Sequence, residues 1–315
     1  MTVLIAGAGI GGLSLGLSLH QIGVPFRIFE SVRDLKPLGV GINLQPNAVR
    51  ELFDLGLKEQ LEGIGVATRS LGFYTKSGRE IWTEPRGLAA DYNWPQFSVL
   101  RGELQMMLAR ALVARAGSDC LVTGHRATGF AQDDEGVQLF LDNSAPVEGT
   151  LLIGADGLHS AIRKQLCPKD GPPLWAGAIL WRGVTQMAPF LSGADMILAG
   201  HDTQRIVAYP ISAPNCDTGL AQINWIAELR VDPAGGWRTE DWNRQADLSE
   251  FLPHFTQWNF DWLNVPKMIE GAGTVYEYPM VDRDPLEQWT DGRVSLMGDA
   301  AHPTYPVGSN GATQA

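Results

Sequence analysis

Short apolar runs alternate with glycine-rich turns and longer amphipathic runs over the first half of the chain, which is typical of a Rossmann-like α/β fold. The elements that this pattern predicts are strands at 3–6, 26–30, 120–123, 126–131, 137–141 and 151–155, and helices at 12–22, from Pro46, from Arg101 to about Arg115 and after His159. Residues 69–83 instead alternate in polarity around Ser77-Gly78, which predicts a strand pair outside the Rossmann pattern.

The pattern changes between about Pro172 and Ala272, where we predict a largely antiparallel second sheet. The elements predicted there are strands at 177–185, 195–199, 205–210 and 220–229, and helices near 241–252 and 261–270. The runs 274–281 and 294–297 then return the chain to the first sheet. We therefore predict two domains: a discontinuous nucleotide-binding domain of residues 1–70, 97–171 and 275–315, and a substrate-binding domain of residues 71–96 and 172–274.

The first candidate site is the segment GAGIGG, which lies between the first predicted strand and helix. In this order a helix N-terminus presents its backbone N–H groups to a pyrophosphate. Gly7 makes the turn, Gly9 lets the backbone approach the ligand and Gly12 packs the helix on the strand. The second strand ends in Glu30, which is placed to accept hydrogen bonds from a ribose. This unit alone does not decide between an FAD site, an NAD site and a Rossmann unit that binds no nucleotide.

Two further segments favour FAD. One is GADGLHSAIR, from Gly154 to Arg163, and the other is GDAAHP, from Gly298 to Pro303. The apolar run before Gly298 would deliver Asp299 to a sheet edge, where its carboxylate can accept hydrogen bonds from a sugar-alcohol chain. FAD has such a ribityl chain and NAD has none. An ordinary turn after a strand is the alternative for this segment alone, but three ordered coincidences make FAD the better interpretation.

With these motifs the chain resembles the single-component FAD-dependent aromatic monooxygenases of the para-hydroxybenzoate and salicylate hydroxylase type. The resemblance runs from Thr2 to Ala315, and its longest strings are most similar to a phenazine-pathway branch of that family. These strings are PLGVGINLQPNAV from Pro37, RGELQMML from Arg101, LWRGVT from Leu180, VAYPIS from Val207 and YPMVDRDPL from Tyr278.

The resemblance implies a set of cofactor contacts. Arg101 would reach the ribityl and phosphate portion of FAD, although a solvated arginine at a helix start is the alternative. Asp156 and Gly157 match a fingerprint associated with FAD and nicotinamide binding, with Arg163 as a possible support. Loop positions would lie along the flavin or point N–H groups at its pyrimidine edge; these are Gly39, Gly41, Gly308, Asn310 and Gly311.

The resemblance also implies residues around the substrate. The Pro303 carbonyl would face the reactive flavin carbon and the substrate. Tyr209 and Trp181 lie on segments that form the substrate roof in the family, and Tyr305 would close the pocket from the flavin side. Each of the three aromatic residues has core packing as its alternative.

The implied activity is hydroxylation of an aromatic or N-heteroaromatic carboxylate, with decarboxylation as a variant. NADH or NADPH would reduce FAD, O2 would add to give a flavin C4a-hydroperoxide, and an electron-rich ring would take the distal oxygen. The alternatives are another FAD-dependent oxidoreductase of the same fold, such as a reductase, and a non-catalytic FAD-binding fragment. The family pattern continues into further helices beyond Gly311, whereas this chain stops at Ala315, so we expect a C-terminally truncated form.

The charge and cysteine content of the chain exclude several classes of binding partner. Asp and Glu number 35 against 24 Lys and Arg, and the net charge of −11 argues against nucleic acid or an anionic membrane as a partner. Cys120, Cys167 and Cys216 are widely spaced, so neither a disulfide framework nor a metal site is predicted. We therefore expect a cytoplasmic monomer or homodimer that binds a small aromatic molecule.

Overall fold

The computed structural model describes residues 1–232, 244–305 and 307–315. Its helices are α1 (Ile10–Gln21), α2 (Pro46–Asp54), α3 (Lys58–Ile64), α4 (Arg101–Ala116), α5 (Ala161–Leu166) and α6 (Val265–Glu270). Its strands are β1 (Val3–Ala6), β2 (Phe26–Glu30), β3 (Gly41–Leu44), β4 (Gly65–Thr68), β5 (Ser70–Tyr74), β6 (Glu80–Pro85), β7 (Gln96–Leu100), β8 (Leu121–Thr123), β9 (Ala127–Gln132), β10 (Val137–Leu141), β11 (Val147–Gly149), β12 (Leu151–Gly154), β13 (Leu174–Met187), β14 (Asp195–His201), β15 (Gln204–Pro210), β16 (Ala221–Arg230), β17 (Asn259–Phe260), β18 (Leu263–Asn264), β19 (Ala272–Asp282), β20 (Thr290–Asp291) and β21 (Val294–Leu296).

The first sheet confirms the predicted Rossmann-like arrangement. Its strand order is β20-β21-β12-β1-β2-β8, and every pair except β20-β21 is parallel. All four residues of β1 are buried, as expected for a central parallel strand with both faces covered. The carboxyl ends of β1, β12 and β21 therefore meet at one edge, where ligands bind in open α/β sheets.

The second sheet is the predicted, largely antiparallel one. Its order is β19-β13-β16-β15-β14-β5-β6, and only the β14-β5 pair is parallel. One face packs on an aromatic core that includes Trp225, Phe251 and Phe255, all fully buried. Strand β19 stays in this sheet as far as Asp282, beyond the predicted return at residue 275. The division of the chain into two domains stays a prediction.

Two predicted helices differ from the structure. Of the helix predicted at 241–252, residues 241–243 lie outside the described residues. The rest of that segment forms a β-bridge from Gln245 to Tyr276 and short 3-10 turns. Leu252 precedes a proline, which disfavours an α conformation there. The helix predicted at 261–270 begins only at Val265, because its predicted first residues belong to the hairpin of β17 and β18. Asn264 caps this helix, since its side chain accepts a hydrogen bond from the Lys267 N–H.

Candidate FAD and substrate site

A cavity of about 730 Å³ lies between the carboxyl edge of the first sheet and one face of the second sheet. Four loop regions of the chain line its floor: the glycine-rich turn, the start of β3, the turn after β12 and the segment after β21. Strands β5, β13, β14, β15 and β16 form its roof. Segments far apart in sequence thus meet at one site, as the three motifs predicted.

The glycine-rich turn has the geometry that its sequence predicts. Gly7 has a φ of +106° and donates its N–H to the Phe29 carbonyl at 2.8 Å. A Cβ on Gly12 would lie 2.0 Å from the Gly7 carbonyl oxygen, so only glycine lets α1 pack this closely. Gly9 has open space where a Cβ would stand, and no side chain caps α1. The first N–H groups of α1 are therefore free to receive a phosphate group.

Glu30 joins the second strand to this turn. Its carboxylate accepts hydrogen bonds from the Ala8 N–H at 2.8 Å and the Val32 N–H at 3.0 Å. The side chain therefore stands beside the glycine-rich turn, and its predicted contact with a ribose stays a prediction.

Asp299 and Arg101 bring opposite charges to the cavity wall. Asp299 follows Gly298, which has a φ of +58°, in a 3-10 turn after β21, and its side chain is exposed to the cavity. Burial in the surrounding protein raises the pKa of Asp299, while the charges of Arg101 and His302 oppose the rise. The Arg101 N–H at the start of α4 binds the Val40 carbonyl at 3.0 Å. Both residues line the cavity, and their contact with a bound cofactor stays a prediction.

Asp156 is not among the residues that line the cavity, and its place in the cofactor fingerprint stays a prediction. Its carboxylate accepts from the Ser160 hydroxyl and from the Ala161 N–H at 2.8 Å, so it caps the start of α5. Burial raises the pKa of Asp156. Gly157, with a φ of +78°, does line the cavity and has open space at its Cβ position.

The two predicted flavin loops differ in how they meet the cavity. Gly41, Gly308 and Gly311 line it, whereas Gly39 and Asn310 do not. Gly39 has a φ of +113° and supports the turn into Gly41. The Asn310 carbonyl accepts the N–H groups of the last three-residue turn instead. Their roles beside a flavin stay predictions.

The alternation of β13 corrects the prediction for Trp181. Leu180 and Arg182 line the cavity, so the intervening Trp181 points to the opposite face of the sheet. There it is buried and stacks on Phe251, with ring centroids 4.8 Å apart. Trp181 is therefore a core residue. Tyr209 lines the cavity, and its predicted contact with the substrate stays a prediction.

Pro303 and Tyr305 line a second cavity of about 650 Å³ on the other side of residue 304. Tyr305 also packs against the cluster of Ala178, Leu180 and Met280. Neither residue is among those that line the larger cavity, and their predicted places beside the substrate and the flavin stay predictions. Thr304, which no motif singled out, lines both cavities.

The sequence reasoning missed the polar residues of the roof. Arg205 of β15 and Glu228 of β16 both line the cavity and form an ion pair at 2.7 Å. Burial raises the pKa of Glu228, and Arg205 opposes this rise. Arg182 and Arg86 also line the cavity, and each has a buried Nε without a partner. For Arg182, Arg205 and Glu228, the signal that could have revealed them is a charged residue within an otherwise apolar strand.

The sequence of the chain matches a known protein family. The model of the FAD binding domain family matches residues 1–248, which is most of the chain. The chain belongs to this family. It is 44% identical to phenazine 1,6-dicarboxylic acid hydroxylase of Lysobacter antibioticus over 99% of the chain and 79% of that protein. It is 33% identical to aurachin C monooxygenase/isomerase of Stigmatella aurantiaca over 100% of the chain and 78% of that protein.

Solved structures agree with this assignment. Klebsiella pneumoniae HpxO in complex with FAD and uric acid superposes with a TM-score of 0.81 at 25% identity, over 100% of this chain and 76% of that one. The chain is thus an FAD-dependent monooxygenase of the aromatic hydroxylase type, with NAD(P)H and O2 as cosubstrates. Its residues fit FAD: the turn offers free N–H groups, and Gly9, Gly157 and Gly311 leave open space at the wall.

The described residues offer neither a membrane-spanning helix nor a metal site. No helix among them has the length and apolar character needed to cross a membrane. No group of histidine, cysteine or acidic side chains among them could hold a metal ion.

We expect Asp299→Ala to weaken FAD binding by roughly 10- to 150-fold, since a charged acceptor of hydrogen bonds is worth about 1.5–3 kcal/mol. The carboxylate is the accepting form and burial raises the pKa of Asp299, so FAD affinity of the parent should fall as pH drops through that raised pKa. The variant should lose this pH dependence. Fluorescence titration with FAD at several pH values checks both, with exposed Asp134→Ala as the control. Equal affinities for parent and folded variant would remove Asp299 from the cofactor site.

Proposed function

We propose that the enzyme hydroxylates a flat aromatic or N-heteroaromatic carboxylate that binds in the large cavity beneath the second sheet. The observation that carries the proposal is the roof, where apolar side chains surround partly buried arginines. The apolar part consists of Leu71, Phe73, Leu180, Met196, Leu198, Val207 and Ile226. Such a surface suits a ring, and guanidinium groups suit a carboxylate.

The charges of the roof favour an anionic substrate. Arg86, Arg182 and Arg205 line the cavity, and Glu228 is the only acidic residue of the described roof that lines it with them. Arg86 also pairs with Glu84, which does not line the cavity. The wall therefore offers more cationic than anionic groups to a ligand.

The names of relatives support the same substrate class. One acts on phenazine 1,6-dicarboxylic acid. Others are named for 3-amino-4-hydroxybenzoate, in Streptomyces cremeus, and for 6-hydroxynicotinate, in Bordetella bronchiseptica. Each of these compounds is a carboxylate on an aromatic or heteroaromatic ring.

In the proposed mechanism, FAD when bound supplies the redox and oxygen chemistry. The glycine-rich turn would hold its phosphates, Asp299 its ribityl chain, and the turn of Gly308 to Gly311 would present N–H groups to it. The apolar roof would exclude water and hold the ring flat, and Arg205 would orient it by its carboxylate. Orientation and water exclusion are the protein's share of such a reaction.

The test is a screen of aromatic carboxylates, with their carboxamides as matched controls, for stimulation of NAD(P)H oxidation by the FAD-loaded protein. The mass of each product shows whether one oxygen atom has been added and whether CO2 has been lost. We expect at least one carboxylate to give a product 16 Da heavier, or its decarboxylated equivalent. Stoichiometric FAD without stimulated oxidation or product for any compound would instead favour the non-catalytic alternative.

Substitutions of Arg205 and Glu228 are expected to change the affinity for a carboxylate substrate in opposite directions. If Arg205 binds the substrate carboxylate, Glu228 competes with the substrate for the same guanidinium, because the two side chains are 2.7 Å apart. Glu228→Gln should therefore tighten binding of a carboxylate, whereas Arg205→Gln should weaken it by roughly 10-fold or more. Calorimetric titration with the best carboxylate of the screen and with its carboxamide measures both effects. Equal changes for the two ligands would show that Arg205 does not select for charge.

We further propose that the enzyme acts in the cytoplasm as a monomer or homodimer and does not bind nucleic acid. The net charge of −11 supports the last point, since it repels polyanions. Light scattering of the FAD-loaded protein at several concentrations tests the oligomeric state.

A further inference from the structure

The backbone of one residue at the start of β3, Gly41, is hydrogen-bonded through both its C=O and its N–H to the second sheet. The Gly41 carbonyl accepts from the Tyr209 hydroxyl at 2.8 Å and from Arg182 Nη2 at 3.0 Å. The Gly41 N–H donates to Asn224 Oδ1 at 2.6 Å. These three side chains come from neighbouring strands β13, β15 and β16, and Tyr209 lies directly opposite Asn224 in the sheet.

The contact is so close that only glycine can make it. A Cβ on Gly41 would lie 2.6 Å from the Asn224 Cβ and 2.9 Å from a methyl group of Ile211. Gly41 lines the cavity, and the preceding residue, Val40, binds the N–H of Arg101. The segment from Gly39 to Gly41 is therefore held between the start of α4 and the roof of the cavity.

The three side chains are costly to bury for a packing role alone. Tyr209 and Asn224 are almost fully buried. Burial raises the pKa of Tyr209 to about 12, so its hydroxyl remains a donor throughout the physiological range. Burial likewise lowers the pKa of Arg182, and among the described residues no carboxylate forms a salt bridge with it. Buried polar groups of this kind persist where their hydrogen bonds specify one arrangement.

We propose that Arg182, Tyr209 and Asn224 are positioning residues that latch the Gly39–Gly41 segment to the substrate-side sheet. The latch fixes the wall of the cavity where the two sheets approach each other, and so sets how tightly that wall closes on whatever occupies the cavity. Tyr209 thus acts through Gly41, because its hydroxyl is engaged with the peptide. The latch does not depend on the identity of the substrate.

Hydrogen exchange measured by mass spectrometry on the full chain tests the latch, with and without FAD. Tyr209→Phe removes one hydroxyl, and Asn224→Ala removes the acceptor of the Gly41 N–H. We expect exchange of peptides covering residues 38–44 to rise about 2- to 10-fold in each variant, as loss of one net hydrogen bond implies. Tyr276→Phe is the matched control, because this tyrosine lies on β19 of the same sheet and does not line the cavity.

Two further readouts separate a latch from general stabilisation. Peptides from β1 and β12 should exchange as in the parent, and acrylamide should quench the fluorescence of bound flavin more strongly in Tyr209→Phe than in Tyr276→Phe. The effects of Tyr209→Phe and Asn224→Ala on residues 38–44 should also be non-additive, because both side chains bind the backbone of the same residue, Gly41. Unchanged exchange at 38–44 in both variants, or an equal rise across all peptides, would overturn the proposal. Tyr209→Phe alone decides the matter if Asn224→Ala does not fold.

Discussion

Replacing Gly12 by alanine is expected to abolish FAD binding and to destabilise the fold, whereas Gly9→Ala should affect FAD binding alone. The added methyl group at residue 12 would lie 2.0 Å from the Gly7 carbonyl oxygen, a backbone atom that cannot move without shifting β1 or α1. Such overpacking costs roughly 1–3 kcal/mol and occasionally more. At residue 9 the same methyl group meets no protein atom within 4 Å and instead enters the cavity.

Comparing Gly12→Ala with Gly9→Ala distinguishes a clash within the protein from a clash with the bound cofactor. Thermal unfolding of the FAD-free variants by circular dichroism measures the first, and FAD titration measures the second. Gly9→Ala should unfold like the parent and bind FAD roughly 10- to 200-fold more weakly, the range typical of one misplaced methyl-sized group. If Gly9→Ala kept the parent's FAD affinity, the cofactor would not approach this turn.

The second large effect is expected for Arg163→Met. The Arg163 side chain is 2% exposed, pairs with Asp170 at 2.6 Å and donates Nη1 hydrogen bonds to the carbonyls of Ala300 and Ala301 at 3.0 and 2.9 Å. Methionine fills similar space but leaves the two carbonyls without these donors. Loss of one partner of a buried pair costs about 3–5 kcal/mol. Because these carbonyls follow Asp299 directly, FAD affinity should fall as well.

The pH dependence of unfolding gives this prediction a second test. The hydrogen bond and charge of Arg163 lower the pKa of Asp170, with Arg283 adding to the effect. A carboxyl group whose pKa is lowered on folding stabilises the protein above its unfolded pKa, and this contribution is lost as pH falls through the folded pKa. The free energy of unfolding should therefore decline less steeply with acid in Arg163→Met than in the parent. Lys164→Met, an exposed change on the same helix, is the control. Identical stability of parent and Arg163→Met from neutral to acidic pH would contradict the assigned role.

The elements that the sequence predicted well are those whose local signals agree. Strands β1 and β2 and the helix from Arg101 combine a clear period with a glycine turn or a helix start, and the structure has them within one or two residues of the predicted bounds. The three cofactor motifs meet at one cavity because parallel strands end at the same sheet edge.

What the sequence could not predict has a common physical origin, since a motif gives a position in the chain and not the direction of a side chain. Trp181 and Arg182 are neighbours in one string, and pairing of β13 with β16 decides which of them faces the cavity. Asp156 lies beside a cofactor turn, yet its carboxylate caps α5. The partners of Gly41 lie more than 100 residues away along the chain, so no local pattern could reveal them.

Strand alternation also separates the residues of the second sheet that would contact a ligand from those that stabilise the fold. Val207 and Ile226 face the cavity, while their neighbours Ala208 and Ala227 are fully buried in the aromatic core on the other side. A mutation on one face therefore leaves the packing of the other face intact. We therefore expect substitutions at every second position of these strands to change the compounds that the cavity accepts while the stability of the sheet is retained.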